Sequence, residues 1–347
     1  MKIDSNQIGD SSPPFIVAEM SGNHNQSLER ALKIIDMAAD AGADAIKIQT
    51  YTADTITLKS DREDFLIKDK SSLWAGENLH SLYEKAHTPW AWHEKIFDYS
   101  KKKGILCFSS PFDESAIEFL EKFNPPAYKI ASFENNHLPL IKCAAKTKKP
   151  LIISTGMATV SEIENAVNTA REQGCEDIVL LKCTSTYPAS PSNSNISTLP
   201  HLKSLFNTEV GISDHTLGIG VPLVSIGFGA TFIEKHFTLN RSDGGVDSKF
   251  SLEPNELKSL VIESKRAWES IGNITYGSTS EEKSSMIFKR SIYIAKDIKK
   301  GQLFNESNLR VIRPGYGCSP KFYEGLIGKQ AKKDFIAGTP LHIKDIF

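Results

Sequence analysis

The chain has 347 residues, room for two or three domains. Its 41 Lys and Arg stand against 42 Asp and Glu, so it lacks the basic excess of a general nucleic-acid binder. With 40% apolar and 24% charged residues it is ordinary globular material, with neither an apolar run near the roughly 18–20 residues that cross a bilayer nor an apolar signal core in MKIDSNQIGDSSPPF, so a soluble cytoplasmic protein is expected.

In chain order, short apolar and β-branched runs predict strands at 14–20, 45–51, 105–112, 127–133, 150–157, 177–187, 209–215 and 232–239. Between them, apolar residues at three- and four-residue spacing predict helices, clearest at 27–42, 113–123, 159–174 and 254–272. Eight strand–helix units in series predict a (β/α)8 barrel over 1–275. An open doubly wound sheet is the alternative, but no GxGxxG follows the first strand. The stretch 52–88 is longer than a usual connection and reads as a loop plus helix inserted over the barrel mouth. The polar segment 276–288 reads as a linker. The tail, 289–347, is a small β-rich module with a faint repeat. Asp297 through Gly301 to Phe304 matches Asp334 through Gly338 to Leu341, each an Asp, three residues, a Gly, two residues and an apolar side chain. The five cysteines form no CxxC pair, which argues against a disulfide framework or a structural zinc site.

In such a barrel the C-terminal ends of the strands ring the active site. Those ends carry Glu19; Lys47 and Gln49; Ser110; Lys129, Ser132 and Glu134; Ser154; Ser185 and Tyr187; Ser213 and His215; and Glu234, Lys235 and His236. A single Ser there need only cap the next helix. Two lysines inside apolar runs are different, because a buried unpaired charge is costly. Lys47 and Lys129, surrounded by hydroxyls, suit a small ligand with two or three negative charges, such as a phosphate ester bearing a carboxylate. No P-loop is present. His215 and His236 close neighbouring strands and make a candidate divalent-metal pair, with Mn2+, Mg2+, Co2+ and Zn2+ all open. Such a site suits addition of an enol phosphate to an aldehyde.

The motifs AEMSGNHN (18–25), AIKIQTYT (45–52), FSSPF (108–112), YKIASFE (128–134), ISTGMA (153–158), KCTSTYP (182–188), GISDHT (211–216) and IEKHF (233–237) resemble the sialic acid synthase family. VIRPGYG (311–317) resembles the SAF, or antifreeze-like, domain fused to those barrels. The resemblance implies a TIM barrel with a C-terminal SAF domain. It also implies condensation of phosphoenolpyruvate with an N-acetylated amino sugar in nonulosonic acid biosynthesis. IKIQTYT, DREDFLIK, GILCFSSPF and VDSKFSL resemble the branch whose acceptor is 2,4-diacetamido-2,4,6-trideoxy-L-altrose. By the same resemblance His215 and His236 would hold Mn2+. Lys129, Ser132, Ser154, Ser185 and Ser213 would grip the donor's phosphate. Lys47 and Ser110 would meet its carboxylate, Ser110 standing where relatives often carry Thr. Glu19 would sit against the metal-bound water or the attacked aldehyde. Gln49, Glu134, Tyr187 and Asp247 would line the sugar pocket, and Arg313 would reach the sugar from the partner subunit of a domain-swapped homodimer. The rival expectations are an N-acetylneuraminate or legionaminate synthase with another amino sugar, a metal aldolase using pyruvate, and a non-catalytic sugar-binding protein.

Overall fold

Each of the eight predicted strands forms, and each is shorter than its apolar run. The computed structural model describes residues 1–70 and 72–345. In its first unit, Met1–Gly272, a small antiparallel hairpin of β1 (Lys2–Ile3) and β2 (Asn6–Gln7) precedes the barrel strands. These are β3 (Phe15–Glu19), β4 (Ala45–Thr50), β5 (Leu106–Pro111), β6 (Tyr128–Ile130), β7 (Leu151–Ser154), β8 (Ile178–Cys183), β9 (Glu209–Asp214) and β10 (Phe232–His236). They pair in parallel in chain order, and β10 closes on β3. The sequence signal overran most at β8, which ends at Cys183, and at β6, where residues 132–134 form a 3-10 turn instead of strand. The runs end early because the chain must bend outward at the rim to enter the helices.

Both faces of this sheet are buried, as expected of a parallel barrel. Alternation assigns them. Outward residues such as Ile46, Ile48, Ile130, Ile153 and Ile233 share one core with the apolar faces of the surrounding helices. Inward residues Phe15, Val17, Ala45, Phe108, Ile152, Val179, Leu181 and Phe232 fill the barrel, and Ile3 and Ile8 of the leading hairpin join them at the N-terminal end. Gly211 is required here, since a Cβ would collide with the backbone carbonyl of Phe232.

The helices follow the predicted pattern. The first, α1 (Leu28–Ala41), starts where the Ser27 side chain accepts from the Arg30 N–H and stops at Gly42, whose φ of +86° a side chain would strain. Over the mouth, 52–88 holds two short helices rather than one: α2 (Ala53–Ile56) and α3 (Leu79–Ala86), joined by a turn in which Leu66 bridges Asn78. The ring is completed by α4 (His93–Lys103), α5 (Glu114–Leu120), α6 (Leu138–Lys146), α7 (Val160–Glu172), α8 (Thr198–Phe206), α9 (Gly220–Gly227) and α10 (Pro254–Ile271). No described helix is long and apolar enough to cross a membrane.

The second unit, Asn273–Phe347, opens on an exposed segment with 3-10 turns at Glu281–Phe288. It then forms an antiparallel pair, β11 (Ser291–Ile294) with β12 (Leu309–Ile312), and a short α11 (Tyr323–Leu326). Its own core gathers Ile292, Ile294, Ile298, Phe304, Leu309, Phe335 and Leu341. The faint sequence repeat is structural. Ile298 and Phe335 exchange backbone hydrogen bonds of 2.9 and 2.8 Å. Asp297 accepts from the Ala337 N–H and Asp334 from the Lys300 N–H, both at 2.8 Å. Gly301 and Gly338 turn with φ of +89° and +85°.

Candidate active site

Two-residue alternation also builds the site. On each strand the inward face that is apolar at the start becomes polar at the C-terminal end: Val17 then Glu19, Ala45 then Lys47 and Gln49, Phe108 then Ser110, Ile152 then Ser154, Leu181 then Cys183, Phe232 then Glu234 and His236. These side chains line a cavity of about 490 Å³ at the barrel mouth, within the range of small-molecule sites.

At its floor Lys47 Nζ lies 2.7 Å from Glu19 Oε2, 3.7 Å from Glu234 Oε1 and 3.2 Å from the Ser110 hydroxyl. Lys129 Nζ donates to Ser154 Oγ at 2.7 Å and sits 3.7 Å from the same Glu234 oxygen. Ser213 donates to Glu234 at 3.1 Å. Burial pushes the Glu234 carboxyl up, but Lys129 and Lys47 outweigh it and bring it to about 2. The two lysines differ. Burial loosens both protons, yet Lys47 has two carboxylates and holds its proton more tightly than usual. Lys129 has one carboxylate and the repulsion of Lys47, and holds its proton less tightly. An anion reaching Lys129 would complete its neutralisation, and the hydroxyls of Ser154, Ser132 and Ser213 stand ready to donate to it.

Beside this floor His215 and His236 bring their ring centroids to 5.2 Å. His215 Nδ1 is 3.0 Å from the Thr184 carbonyl, which fixes the tautomer and leaves Nε2 with its lone pair. His236 Nδ1 is buried without a hydrogen bond, 3.5 Å from Asp247 Oδ2. Asp247 also accepts a short hydrogen bond from Ser21. An oriented imidazole and an unsatisfied imidazole nitrogen could give a divalent cation two protein ligands, with the remaining positions left for water or substrate. Among the described residues no group of three or more His, Cys, Asp or Glu is placed to hold a metal ion.

Further out, Gln49 Nε2 donates to Glu19 at 2.8 Å and to Ser21 at 3.1 Å. Burial pushes the Glu134 carboxyl up to about 7 against the pull of Lys129, and its Oε2 has no hydrogen-bond partner among the described residues. The Tyr187 ring lies 4.5 Å from His215 and 5.6 Å from Trp74 of the inserted segment.

All the predicted barrel site residues except Ser185 line this cavity. Ser185 lies just behind it: a Cβ on Gly156 would run into the Ser185 and Ser132 hydroxyls, and the Gly156 N–H donates to Ser132 at 3.2 Å. Arg313 belongs to the second unit, at a cis bond to Pro314. Lys235 points out of the barrel into an ion pair with Asp214 at 2.9 Å and takes no part in the site. Sequence reasoning places Glu234 among the strand ends without a role and passes over Cys183, although strand alternation from His236 and Leu181 places both in the site. Burial pushes the Cys183 thiol up, but the His215 ring, Ser132 and Lys129 bring it down to about 7. Tyr51 continues the inward alternation of Ala45, Lys47 and Gln49 and could have been read from it, whereas Ser21 opens a 3-10 turn and Trp74 comes from the inserted loop, where no periodicity announces them.

Known proteins resemble the chain across both units. The NeuB family profile matches residues 34–276 and the SAF domain profile residues 289–346. The chain is 48% identical over 327 residues to the pseudaminic acid synthase of Campylobacter jejuni serotype O:2, covering 94% of this chain and 95% of that protein. It is 42% identical over 337 residues to the pseudaminic acid synthase of Helicobacter pylori, covering 96% and 98%. Among solved structures, the N-acetylneuraminic acid synthetase of Leptospira borgpetersenii in complex with citrate superposes with a TM-score of 0.72 at 33% identity, covering 82% of this chain and 94% of that one.

Proposed function

The chain belongs to the NeuB family, with a SAF domain after the barrel, and from that premise we propose that it condenses phosphoenolpyruvate with 2,4-diacetamido-2,4,6-trideoxy-L-altrose to give pseudaminic acid and phosphate. The observation that carries this reading is the floor of the cavity. Lys47 and Lys129, with the hydroxyls of Ser110, Ser154 and Ser213, form one anion-binding surface next to the His215–His236 pair. The substrate assignment rests on the relatives at 48% and 42% identity over nearly the whole chain.

In the reaction, carbon 3 of phosphoenolpyruvate forms a bond to the aldehyde carbon of the open-chain sugar. The aldehyde oxygen takes a proton. Water adds at carbon 2 of the donor, and the carbon 2–oxygen bond to phosphate breaks, leaving the ketone. Lys129 with Ser132, Ser154, Ser185 and Ser213 holds the phosphate, and Lys47 with Ser110 holds the carboxylate. Fixing both ends of the donor sets carbon 3 in a near-attack position and removes most of the entropic cost of meeting the acceptor. Glu234, ionised between the two lysines, keeps both ammonium groups aimed at one point. Glu19, oriented by Gln49, handles the proton at the acceptor's carbonyl oxygen. Gln49, Glu134, Tyr187 and Asp247 line the sugar. A divalent cation on His215 and His236, Mn2+ by the family resemblance, would supply Lewis-acid polarisation of the aldehyde. The same resemblance supports a domain-swapped homodimer in which Arg313 reaches the partner's sugar, working in the cytoplasm.

Phosphate release tests the reading. Purified protein with Mn2+ and phosphoenolpyruvate is expected to release phosphate with the altrose derivative and not with N-acetylmannosamine or the legionaminic precursor. Release with another sugar alone overturns the substrate, and release with none overturns the reaction.

A further inference from the structure

The cavity has two unlike halves. Every charge and hydroxyl described above comes from the barrel. The opposite side comes from the inserted segment and contributes Ile56, Ile67, Trp74, Leu79, Leu82, Tyr83 and Ala86. Five of these seven are aliphatic, Tyr83 adds a single hydroxyl, and the indole N–H of Trp74 is already donated to the Val246 carbonyl at 3.1 Å. The backbone behind them is satisfied internally: the Ile67 N–H bonds to the Glu77 carbonyl at 3.0 Å, and the Ile67 carbonyl accepts from Gly76 at 2.8 Å. Asn78 ties the turn to the Ser60 carbonyl at 2.8 Å, and His80 of α3 lies 2.9 Å from Asp54 of α2. The wall is therefore preformed, largely apolar and tied to the barrel through Trp74 and Val246, and apart from the Tyr83 hydroxyl its side chains offer a ligand hydroxyl nothing to bond.

We propose that this wall is a specificity-determining surface that selects acceptors whose far end is deoxygenated and acylated. It packs on the carbon-6 methyl and an acetamido methyl of a 2,4-diacetamido-2,4,6-trideoxy hexose, and it disfavours a hexosamine that would point hydroxyls at it. This rests on the proposed condensation and adds to it which surface chooses the acceptor. An apolar pocket rejects an added hydroxyl by about 10- to 100-fold, so the wall sorts acceptors by that factor and leaves stereochemistry to the polar floor.

The test replaces half-buried wall residues by a small hydrogen-bonding one. Ile67→Ser and Leu79→Ser are compared with wild type and with Leu79→Met as the volume-conserving control. Phosphate release and calorimetric sugar binding are measured with 2,4-diacetamido-2,4,6-trideoxy-L-altrose and with N-acetylmannosamine, after thermal melts confirm folding. The serine variants are expected to lower the altrose-to-mannosamine ratio of kcat/KM about tenfold or more, mainly through acceptor KM, while KM for phosphoenolpyruvate stays within about twofold. Leu79→Met is expected to keep the wild-type ratio. An unchanged ratio in both serine variants, or an equal loss with donor and both acceptors, overturns the wall. A wild type that releases no phosphate yet binds the trideoxy sugar with a preference that the serine variants lose would overturn the reaction and keep the wall.

Discussion

Lys47, Lys129 and Lys235 are all buried lysines in apolar strands, and single residue types do not separate them. Direction does. Lys235 faces outward and donates to the Asp214 carboxylate and the Thr216 carbonyl. Removing it strands a buried carboxylate, so Lys235→Met is expected to cost about 3–5 kcal/mol and to lower Tm sharply, while any folded protein keeps its donor affinity. Lys129→Met is expected to do the reverse. Glu234 retains Lys47 as a partner, so the melt moves less, while phosphate release falls by about 100-fold or more for loss of a charge held against the donor. Equal behaviour of the two variants would refute the division. Glu134 gives a pH test. Its carboxyl is raised from 4.5 to about 7 by burial, so the fold disfavours its ionised form. The stability it leaves intact at pH 4 is lost as pH rises through 7. Glu134→Gln should melt like wild type at pH 4 and be more stable at pH 8, by on the order of 3 kcal/mol. A gain at acid pH instead would contradict the sign.

At the scale of elements, the strand ends position everything and are also where the apolar signal misleads. The run at 127–133 continues into Ser132 and Phe133, but the backbone leaves the sheet after Ile130. That departure turns Ser132 back to meet the Gly156 N–H. Small residues permit such close approaches. Gly211 on β9 lies against the Phe232 backbone on β10, so Gly211→Ala must push apart a pair of hydrogen-bonded strands just below Ser213 and His215. The expected cost is about 1–3 kcal/mol, read as a lower denaturant midpoint together with weaker donor binding. A variant as stable as wild type would show that the strand pair yields more easily than its geometry indicates.

At the scale of the whole molecule, the barrel and the second unit each have their own core. The proposed homodimer places Arg313 of one chain at the other chain's sugar, and mixing tests it. His215→Ala and Arg313→Ala proteins, each expected to be nearly inactive, are dissociated and reassembled together. If Arg313 acts across the dimer, half the dimers are mixed and each holds one intact site, so about a quarter of wild-type activity should return. If Arg313 serves its own barrel, mixing restores nothing.

The eight strand–helix units could be read from the chain alone, because burial on both faces of a parallel sheet demands continuous apolar runs. Lys47, Lys129, His215 and His236 were equally legible, because charge inside such runs shows without coordinates. The internal repeat of the tail was visible for a similar reason: an Asp at a fixed distance before a turning glycine leaves a pattern. Which polar residues converge was settled by tertiary folding. Closure of β10 on β3 brings Glu234 between two lysines that are 82 residues apart in the chain, as their numbering at 47 and 129 shows. Folding of the inserted segment over the mouth sets Trp74 against Tyr187. Neither follows from local periodicity, since the periodicity of a strand fixes which way a side chain points and only the closed sheet and its loops fix what it meets.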